Sequence, residues 1–481
     1  MTKNQNESST TAIDPEIVKE AQRFLREHKD LKVQSHDYCS PRISSELPDC
    51  ALPLTFDQYN YCSLSCLYCF AYFFKTNNPV YKDCQIPLKA VNVDNMISAM
   101  QGHPKTKRDR LMYEHFYKRE FVLHWGGLAD PFCNFERKNR QGFKLIEALA
   151  EMNYPTLFSF KGKDIFSDSY RKLFEKYGDQ SNFAFQSSIV TNSDKMSRQV
   201  EIGVPSTTKR LEALKMLSDM GYWTILRLRP FTMGLTDIGL DELLDRAKKC
   251  GISAISTEWF ALDARSNEGM KRRYRWLGDL MGIQQLQKYY STLSPSERGG
   301  YMRLNRTVKE PYVKQIYEFC VENDIICGIS DPDFKELNTS GCCCGMPDNF
   351  PKNRKLENWS RNQLTHHIRR MRQRYHQTGQ PTYLQFDEVY GDENYLDSIE
   401  LVEVGGHISL IGRPLAVKNA ITYRHILQES WNNLRSPQNP RNYFHGKLMP
   451  VNTDENGNLI FKYEPLEYEE RWKKEGIDLT K

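Results

Sequence analysis

What this chain lacks narrows its chemistry before any motif is read. No apolar run approaches the roughly 18 residues of a membrane span, so no membrane partner is expected. The stretch Met1 to Ala12 is polar and has neither the basic nor the apolar segment of an export signal, which makes a cytoplasmic location the expectation. In a reducing compartment 13 cysteines, an odd number, point to metal ligation and not to a disulfide framework. Charge of one sign is scarce as well: 66 Lys and Arg stand against 61 Asp and Glu, and the net of +5 is too small by itself to imply a polyanionic partner. No internal repeat of solenoid length is present. What is there is a chain of 481 residues, 12% of them aromatic, long enough for two or three domains around a sizeable core.

The cysteines are unevenly spread. Cys62, Cys66 and Cys69 form a C-x3-C-x2-C run with Tyr68 before the last thiol, so one short loop can present three thiolates to one object. Thiolates are the usual ligands of 4Fe-4S clusters, and a run supplying only three leaves one iron open to an exogenous ligand. Zinc and buried free thiols are the competing readings, but zinc usually takes four ligands and no matching C-x2-C pair follows. The run resembles the signature of the radical S-adenosylmethionine (SAM) enzymes. That resemblance implies SAM on the open iron, its reductive cleavage to methionine and a 5′-deoxyadenosyl radical, and hydrogen abstraction from a substrate. It also implies a low-potential electron donor such as flavodoxin or ferredoxin.

Along the chain, Asp14-Pro15-Glu16 reads as the start of a helix running to about Lys29. Residues 52–61 read as a strand that delivers the cysteine loop at its C-terminal end, where parallel β/α barrels place their active sites. Further strands are expected at 121–125, 156–160, 183–190, 222–228 and 252–259. Helical patterns separate them, such as 208–220, with Leu211, Leu214, Met216 and Leu217 as its apolar stripe. Such alternation is the habit of a parallel sheet wrapped by helices. The expected fold class is α/β: a partial (β/α)6 TIM-like barrel with an N-terminal helical extension and a small C-terminal α+β module. The extension covers 1–48 and the radical SAM barrel 49–335, with an Arg- and Tyr-rich helical insertion at 262–310. A helix at 311–323 and a strand at 325–330 close that region. A cysteine-rich loop (336–355), a basic nucleic-acid-binding module (356–440) and a tail (441–481) complete the division.

Within the superfamily the chain is similar to the spore photoproduct lyase group. The likeness rests on Gly126-Gly127-Leu128-Ala129-Asp130-Pro131, on Phe158-Ser159-Phe160-Lys161, on Phe185-Gln186-Ser187-Ser188, and on the run from Glu201 through Pro205, Lys209 and Arg210 to Pro230. By that resemblance Gly126 and Gly127 hold the amino group of SAM, Lys161 and Ser188 contact its carboxylate and ribose regions, and Asp130 orders the second-strand loop. The residue types suit these tasks: glycine lets backbone approach a ligand, a cation suits a carboxylate, and a hydroxyl suits a ribose. For Lys161 the bland alternative is a solvated strand end. One departure stands out. The lyase group carries a cysteine hydrogen donor where this chain has Gly127-Leu128-Ala129, which puts thymine-dimer repair itself in doubt and leaves Cys133, a few residues on, as a candidate donor.

A second cysteine run, Cys342-Cys343-Cys344, lies between Gly341 and Gly345. In an extended segment Cys342 and Cys344 face one ligand and Cys343 faces away. The run is therefore read three ways: a possible second iron-sulfur cluster on Cys342 and Cys344, with Cys327 or Cys133; a hydrogen donor, Cys343; or small buried thiols in a turn.

Positive charge concentrates further on, at Lys352, Arg354, Lys355, Arg361, Arg369, Arg370, Arg372 and Arg374, against Glu357 alone. Leu364, Ile368, Met371 and Tyr375 recur at helical spacing, so a helix is expected to bury them and present Arg369, Arg370, Arg372 and Arg374 to phosphates. His366, His367 and His376 read as phosphate or surface residues. The segments 378–388, 422–424 and 430–434 resemble the small helical repeat appended to HNH homing endonucleases, which places nucleic acid ahead of other partners.

Three readings of function remain at this stage: a radical SAM enzyme acting on a nucleic acid or a base within one, in modification or repair; a radical SAM enzyme acting on a peptide or small metabolite; and a redox-sensing nucleic-acid-binding protein without turnover.

Overall fold

Short runs of Phe, Trp, Leu and Ile, each followed by a helix-periodic stretch, build a sheet whose strands follow chain order. The structure is a computed structural model that describes residues 15–16, 19, 31–33, 41–44, 49–71, 88–178, 182–265, 268–294, 297–298, 300–350, 363–391, 399–404, 407–410, 413–414 and 422–481. Most of the helix expected at 14–29, and the basic residues Lys352, Arg354, Lys355 and Arg361, lie outside the described residues. The sheet comprises β1 (Arg42–Ile43), β2 (Leu54–Phe56), β3 (Leu123–Trp125), β4 (Thr156–Phe160), β5 (Phe183–Ser188), β6 (Trp223–Phe231), β7 (Ala254–Trp259) and β8 (Ile326–Ile329). β1 is antiparallel to β2, and every later neighbour pair is parallel.

The expected strands two to six are β3 to β7. The strand expected at 325–330, beyond the six barrel strands, is β8 and joins the same sheet on β7, so the parallel strands exceed the expected six by one. Among the described residues β1 and β8 do not pair with each other.

The connecting helices include α1 (Val93–Met100), α2 (Gln141–Glu151), α3 (Asp168–Tyr177), α4 (Thr207–Asp219), α5 (Leu240–Lys249) and α6 (Arg306–Glu322). Ser206 caps α4 through its Oγ, which accepts the Lys209 N–H at 3.4 Å. α6 starts at Arg306, five residues before Pro311, capped by Asn305, whose side chain accepts the Val308 N–H at 3.1 Å. The stronger Asn cap overrides the proline, whose missing N–H forfeits only one backbone bond near the helix start.

The insertion at 262–310 is not purely helical. Two helices (Glu268–Leu280 and Leu286–Leu293) sit with a three-stranded antiparallel sheet made of Ala261–Asp263, Tyr301–Arg303 and Glu297–Arg298. Strands of two or three residues carry no period that a sequence pattern can register.

β4 and β5 are buried at every residue, as expected when both faces of a parallel sheet are covered. One face packs its aromatics against the helices. Phe158 stacks on Phe185 with centroids 5.0 Å apart, and Phe174 of α3 meets Phe185 edge-on at 5.0 Å. Full burial of each such ring contributes about 1.5–3 kcal/mol. The opposite face carries small apolar residues (Leu157, Ala184, Ile225, Ala254) near the strand starts and polar ones (His124, Ser159, Gln186, Arg227, Arg229) towards their C-terminal ends.

The C-terminal segments belong to the same apolar core, which among the described residues is one cluster that includes Ile43 and Leu479. They include α7 (Leu364–Thr378), α8 (Tyr423–Asn432), α9 (Glu467–Lys474) and the hairpin Leu448–Thr453 with Leu459–Tyr463. Leu401–Val404 and His407–Leu410 form an antiparallel pair.

α7 corrects one expectation. Arg370 and Arg374 are exposed, but Arg369 and Arg372 are buried beside the apolar stripe. Arg369 donates to Thr339 O at 2.7 Å and Asp348 Oδ2 at 2.8 Å; Arg372 donates to the Tyr317 hydroxyl at 2.8 Å and to Lys481 O. Burial and the neighbouring Arg369 push the His366 pKa down to about 3, and His376 lies against Glu469 Oε2 at 2.9 Å. These groups fasten α7 to the core instead of facing phosphates. Among the described residues no helix is long and apolar enough to cross a membrane.

Candidate functional site

The chain leaves β2 through four buried residues, Asp57, Gln58, Tyr59 and Asn60, and then makes the cysteine turn. Polar residues survive this depth only when bonded, and each is. Asn60 Oδ1 accepts Lys89 N–H at 2.7 Å, and Gln58 bridges Pro131 O (2.7 Å) and the Trp125 indole (2.6 Å). Ser63 Oγ accepts Asn134 N–H at 2.8 Å. The two-residue strand Ser65–Cys66 pairs antiparallel with Glu201–Ile202, placing Cys66 opposite Glu201. Arg273 closes the turn from the other side by donating to Ser65 Oγ (3.1 Å) and Cys66 O (3.4 Å). Cys66 is buried, while Cys62 and Cys69 are half-buried.

A charged cluster sits behind the turn. Lys161, one residue past β4, donates to the Tyr68 hydroxyl at 2.8 Å, lies 3.6 Å from Glu201 Oε1 and 3.8 Å from Cys66 Sγ. The Tyr68 hydroxyl donates in turn to Glu201 Oε1. Arg210 of α4 holds Glu201 Oε2 at 2.5 Å and also donates to Ser197 Oγ (2.7 Å) and to the carbonyl of Ser188 (2.5 Å). Burial disfavours the Glu201 charge, but Arg210 and then Lys161 outweigh it and hold its pKa below the usual carboxylate range. Burial also opposes the charge on Lys161, yet Cys66 and Glu201 prevail and its pKa is raised. Burial pushes the Cys66 thiol up to about 12; Lys161 acts against that rise, while Glu201, Cys69 and Cys62 add to it. The three sulfurs thus share one electrostatic neighbourhood in which Lys161 favours the Cys66 thiolate and burial opposes it.

The loop after β3 is held from two sides. Asp57 Oδ1 accepts the N–H groups of Leu128 (2.8 Å) and Ala129 (2.7 Å), while its Oδ2 pairs with Arg42 at 2.5 Å. Asp130 Oδ2 accepts the N–H groups of Lys161 (2.5 Å) and Gly162 (3.0 Å), so it ties this loop to the segment carrying Lys161. Burial raises the Asp130 pKa to about 6 against these bonds.

Gly126 sits at φ +105°, and a Cβ there meets the carbonyl oxygen of Ser159 at 2.3 Å. Gly126→Ala is expected to lose roughly 1–3 kcal/mol from backbone strain alone, read from urea unfolding. Gly127→Ala serves as the control, since the nearest atoms its Cβ meets are the Arg42 guanidinium at 3.3 Å and then Thr55 and Asp57 at ordinary contact distance.

The polar face of the sheet lies next to this turn. His124 Nε2 is 2.5 Å from Ser159 Oγ and 3.1 Å from Gln186 Nε2. Burial, reinforced by Arg227, Arg229 and Arg42, pushes the His124 pKa down to about 3. An unfolded histidine takes its proton near 6.5, so the unfolded state binds more protons between those values, and stability falls as pH drops from about 6.5 towards 3. His124→Gln removes that term. Between pH 7.5 and pH 5 the wild type is expected to lose about 1–2 kcal/mol more than the variant, measured as the shift in urea midpoint.

The second cysteine run packs on this same face. Cys342 to Gly345 is a turn, closed by Gly345 N–H to Cys342 O at 2.9 Å, and not the extended segment expected. All three thiols pack in one apolar cluster, with Cys342 and Cys344 buried and Cys343 half-buried. The turn fits because Gly328 has no side chain: a Cβ there meets Gly345 N at 2.7 Å. Cys343 O accepts from Ser256 Oγ at 3.1 Å and from Arg229.

The neighbours proposed for this run are elsewhere. Cys327 is buried with Cys320 in the main core, and Cys133 is buried with Tyr59, Tyr61, Leu88, Ala90 and Phe135. The thiol that does approach Cys343 and Cys344 is Cys50. Cys343 is half-buried and packs against the apolar part of this face, with Leu157, Ala184, Ile225 and Ala254 in its cluster.

Among the described residues no group of three or more His, Cys, Asp or Glu side chains is set to hold a metal ion. A second cluster on Cys342 and Cys344 therefore finds no support. For the first turn the donor chemistry fits an iron-sulfur cluster: three thiols in one anchored loop, a lysine beside them and two sulfurs within reach of solvent. The thiols share the turn without yet converging on a common point.

Sequence reasoning marked Cys62, Cys66, Cys69, Gly126, Gly127, Asp130, Lys161 and Ser188, and the structure gathers them around the C-terminal ends of β2 to β5. It missed Asp57, His124, Arg227 and Arg229. The alternation of Arg227 and Arg229 in an otherwise apolar strand was a signal for the last two.

No protein-family model and no curated protein matches the chain. Among solved structures it is similar to spore photoproduct lyase, including a variant with bound AdoMet and dinucleoside spore photoproduct. That likeness is 13% identity over 68% of this chain and 88% of the other, with a TM-score of 0.47. It is also similar to Streptococcus suis SuiB bound to S-adenosylmethionine, at 14% identity over 59% of this chain and 60% of the other, with a TM-score of 0.33. At these distances the functional reading is carried by the residues of the site itself.

Proposed function

We propose that this chain is a radical SAM enzyme whose parallel sheet curves into a partial barrel around the site, and whose substrate is a nucleic acid or a nucleotide base within one. The observation that carries the reading is the three-thiol turn, anchored by Glu201 and Arg273 at the C-terminal ends of the strands with Lys161 against Cys66. Cys62, Cys66 and Cys69 would hold a 4Fe-4S cluster, which supplies the low-potential electron, taken from a flavodoxin or ferredoxin, that cleaves SAM to a 5′-deoxyadenosyl radical.

The protein's own groups then bind and orient. Gly126 and Gly127 bring backbone close enough to receive the SAM amino group, and Asp57 fixes that loop by taking two of its N–H groups. Lys161 has two tasks, steadying the Cys66 sulfur and offering a cation to the SAM carboxylate, while Ser188 lies on the polar face within the ribose region. Cys343, half-buried where Cys133 is fully buried, is better placed than Cys133 to return a hydrogen atom to a substrate radical. The exposed Arg370 and Arg374 are left as the outer contacts to a polynucleotide.

The test is anaerobic reconstitution with iron and sulfide, addition of SAM and dithionite, and quantification of 5′-deoxyadenosine with and without a DNA oligonucleotide. Formation stimulated by DNA is the expected result. Formation indifferent to DNA moves the substrate to peptides or metabolites. Its absence from a fully reconstituted protein under both conditions overturns the enzyme and leaves a redox sensor.

A further inference from the structure

The polar face carries a cation that the rest of the chain leaves unpaired. Arg227 lies on β6 between its register partners Ser188 on β5 and Ser256 on β7, and alternation puts it on the same side as Ile225 and Arg229. Among the described residues its side chain makes no hydrogen bond or ion pair, and its Nε is sealed from solvent without a partner. The side chain as a whole is only half-buried, so the far end of the guanidinium is reachable.

Its neighbours do not supply a counter-ion. Arg229 adds a second positive charge and spends its own donors on Cys343 O and on Glu258, 3.7 Å away. Glu258 is half-exposed and committed to that pair. Gln186, fully buried on the adjacent strand, also presents an unpaired atom, Oε1. Arg42, the other cation that acts on this face, is matched by Asp57. Burial and Arg229 lower the Arg227 pKa to about 10, which still leaves it charged at neutral pH. Its register partner Ser256 donates to Cys343 O at 3.1 Å, so Arg227 lies one strand away from the Cys342–Cys344 turn, and its other register partner is Ser188.

A guanidinium whose Nε is sealed from solvent without a partner is held at a cost that an anion on its open end offsets. The planar fork matches two oxygens of a tetrahedral anion, whose remaining oxygens can accept from nearby hydroxyls. We propose that Arg227 is the receptor for a phosphate group of the substrate, bound on the polar face between the cysteine turn and the Cys342–Cys344 turn. The assignment rests on the radical SAM reading of this site and gives it a substrate class, a phosphate-bearing nucleotide. Lys161 is left to the carboxylate of SAM.

The test uses the reconstituted full-length protein with inorganic phosphate as the probe, compared with acetate and chloride at equal ionic strength. Thermal unfolding and the SAM dissociation constant are read for wild type, Arg227→Gln and Arg227→Lys. Phosphate is expected to raise the wild-type midpoint, Arg227→Gln to weaken phosphate binding at least about tenfold, and Arg227→Lys to retain part of it. SAM affinity should stay within about twofold in all three.

Acetate stabilising as well as phosphate overturns the phosphate assignment in favour of a carboxylate. A tenfold loss of SAM affinity in Arg227→Gln overturns it in favour of the cofactor's own carboxylate. Equal phosphate response in wild type and Arg227→Gln overturns it outright. If Arg227→Gln fails to fold, the wild-type comparison of phosphate with acetate and chloride, together with Arg227→Lys, still decides. Absence of 5′-deoxyadenosine from the wild type, by contrast, removes the radical SAM reading while leaving the phosphate result standing.

Discussion

Cys66→Ala reconstitutes without its cluster: iron retention falls to background, and 5′-deoxyadenosine formation drops by more than about a hundredfold. The magnitude follows from chemistry, since losing a hydrogen bond behind a metal ligand already costs 10–100-fold and this substitution removes the ligand itself. The fold should survive. Cys66 contributes one small buried side chain, and the turn is held by backbone pairing to Glu201–Ile202 and by Arg273, none of which needs the sulfur. A change in unfolding free energy of about 1 kcal/mol is expected. Cys250→Ala, at the end of α5 and outside the site, should keep its iron. If Cys66→Ala kept iron and activity while Cys250→Ala lost them, the cluster would have been placed on the wrong thiols. Iron content and deoxyadenosine yield on the same samples separate these cases.

The cysteine turn was legible because its chemistry is local: three thiols within eight residues need no tertiary knowledge to be brought together. The strands at 156–160 and 183–188 were legible for a related reason, as runs of Phe, Leu and Ser too short for helices and bounded by turn residues. Gly126 and Asp130 were visible by position after a strand, and geometry adds why each is needed, a carbonyl 2.3 Å from any Cβ in one case and two N–H groups to hold in the other.

What stayed hidden depends on partners distant in sequence. The inward turn of Arg369 and Arg372 requires Asp348, Thr339, Tyr317 and the carbonyl of Lys481, which no helical wheel contains. The turn at Cys342 was read as extended because nothing local shows that it must fit against Gly328. The strand at 325–330 was legible, but its place as a seventh parallel strand was not, because its pairing with β7 skips the whole segment that carries Ala261–Asp263 to Tyr301–Arg303.

The buried pair of Glu201 and Arg210 shows how such a long-range partnership controls a local motif, and it predicts the largest stability effect in the molecule. Both side chains are at most 1% exposed. Arg210→Leu leaves the Glu201 carboxylate with Lys161 alone, and Glu201→Leu leaves two cations facing each other without a counter-charge. Removing one member of such a pair costs about 3–5 kcal/mol, so each single variant is expected to lose that much in urea unfolding. The double variant should lose distinctly less than the sum, because the uncompensated charge disappears with its partner; strict additivity would mean that the two do not act as a pair.

The pH dependence gives a second signature. Glu201 has a pKa held below the carboxylate norm, so its contribution is present above the unfolded value near 4.3 and is lost as pH falls through the folded one. Glu201→Leu should therefore flatten acid unfolding below about pH 4. Because Cys66 pairs in register with Glu201, the same substitution should loosen the cysteine turn and lower iron occupancy at neutral pH, where the Arg210→Leu turn still has Lys161 against Glu201. A Glu201 variant that lost stability but bound iron as fully as the wild type would confine the pair to the fold and detach it from the site.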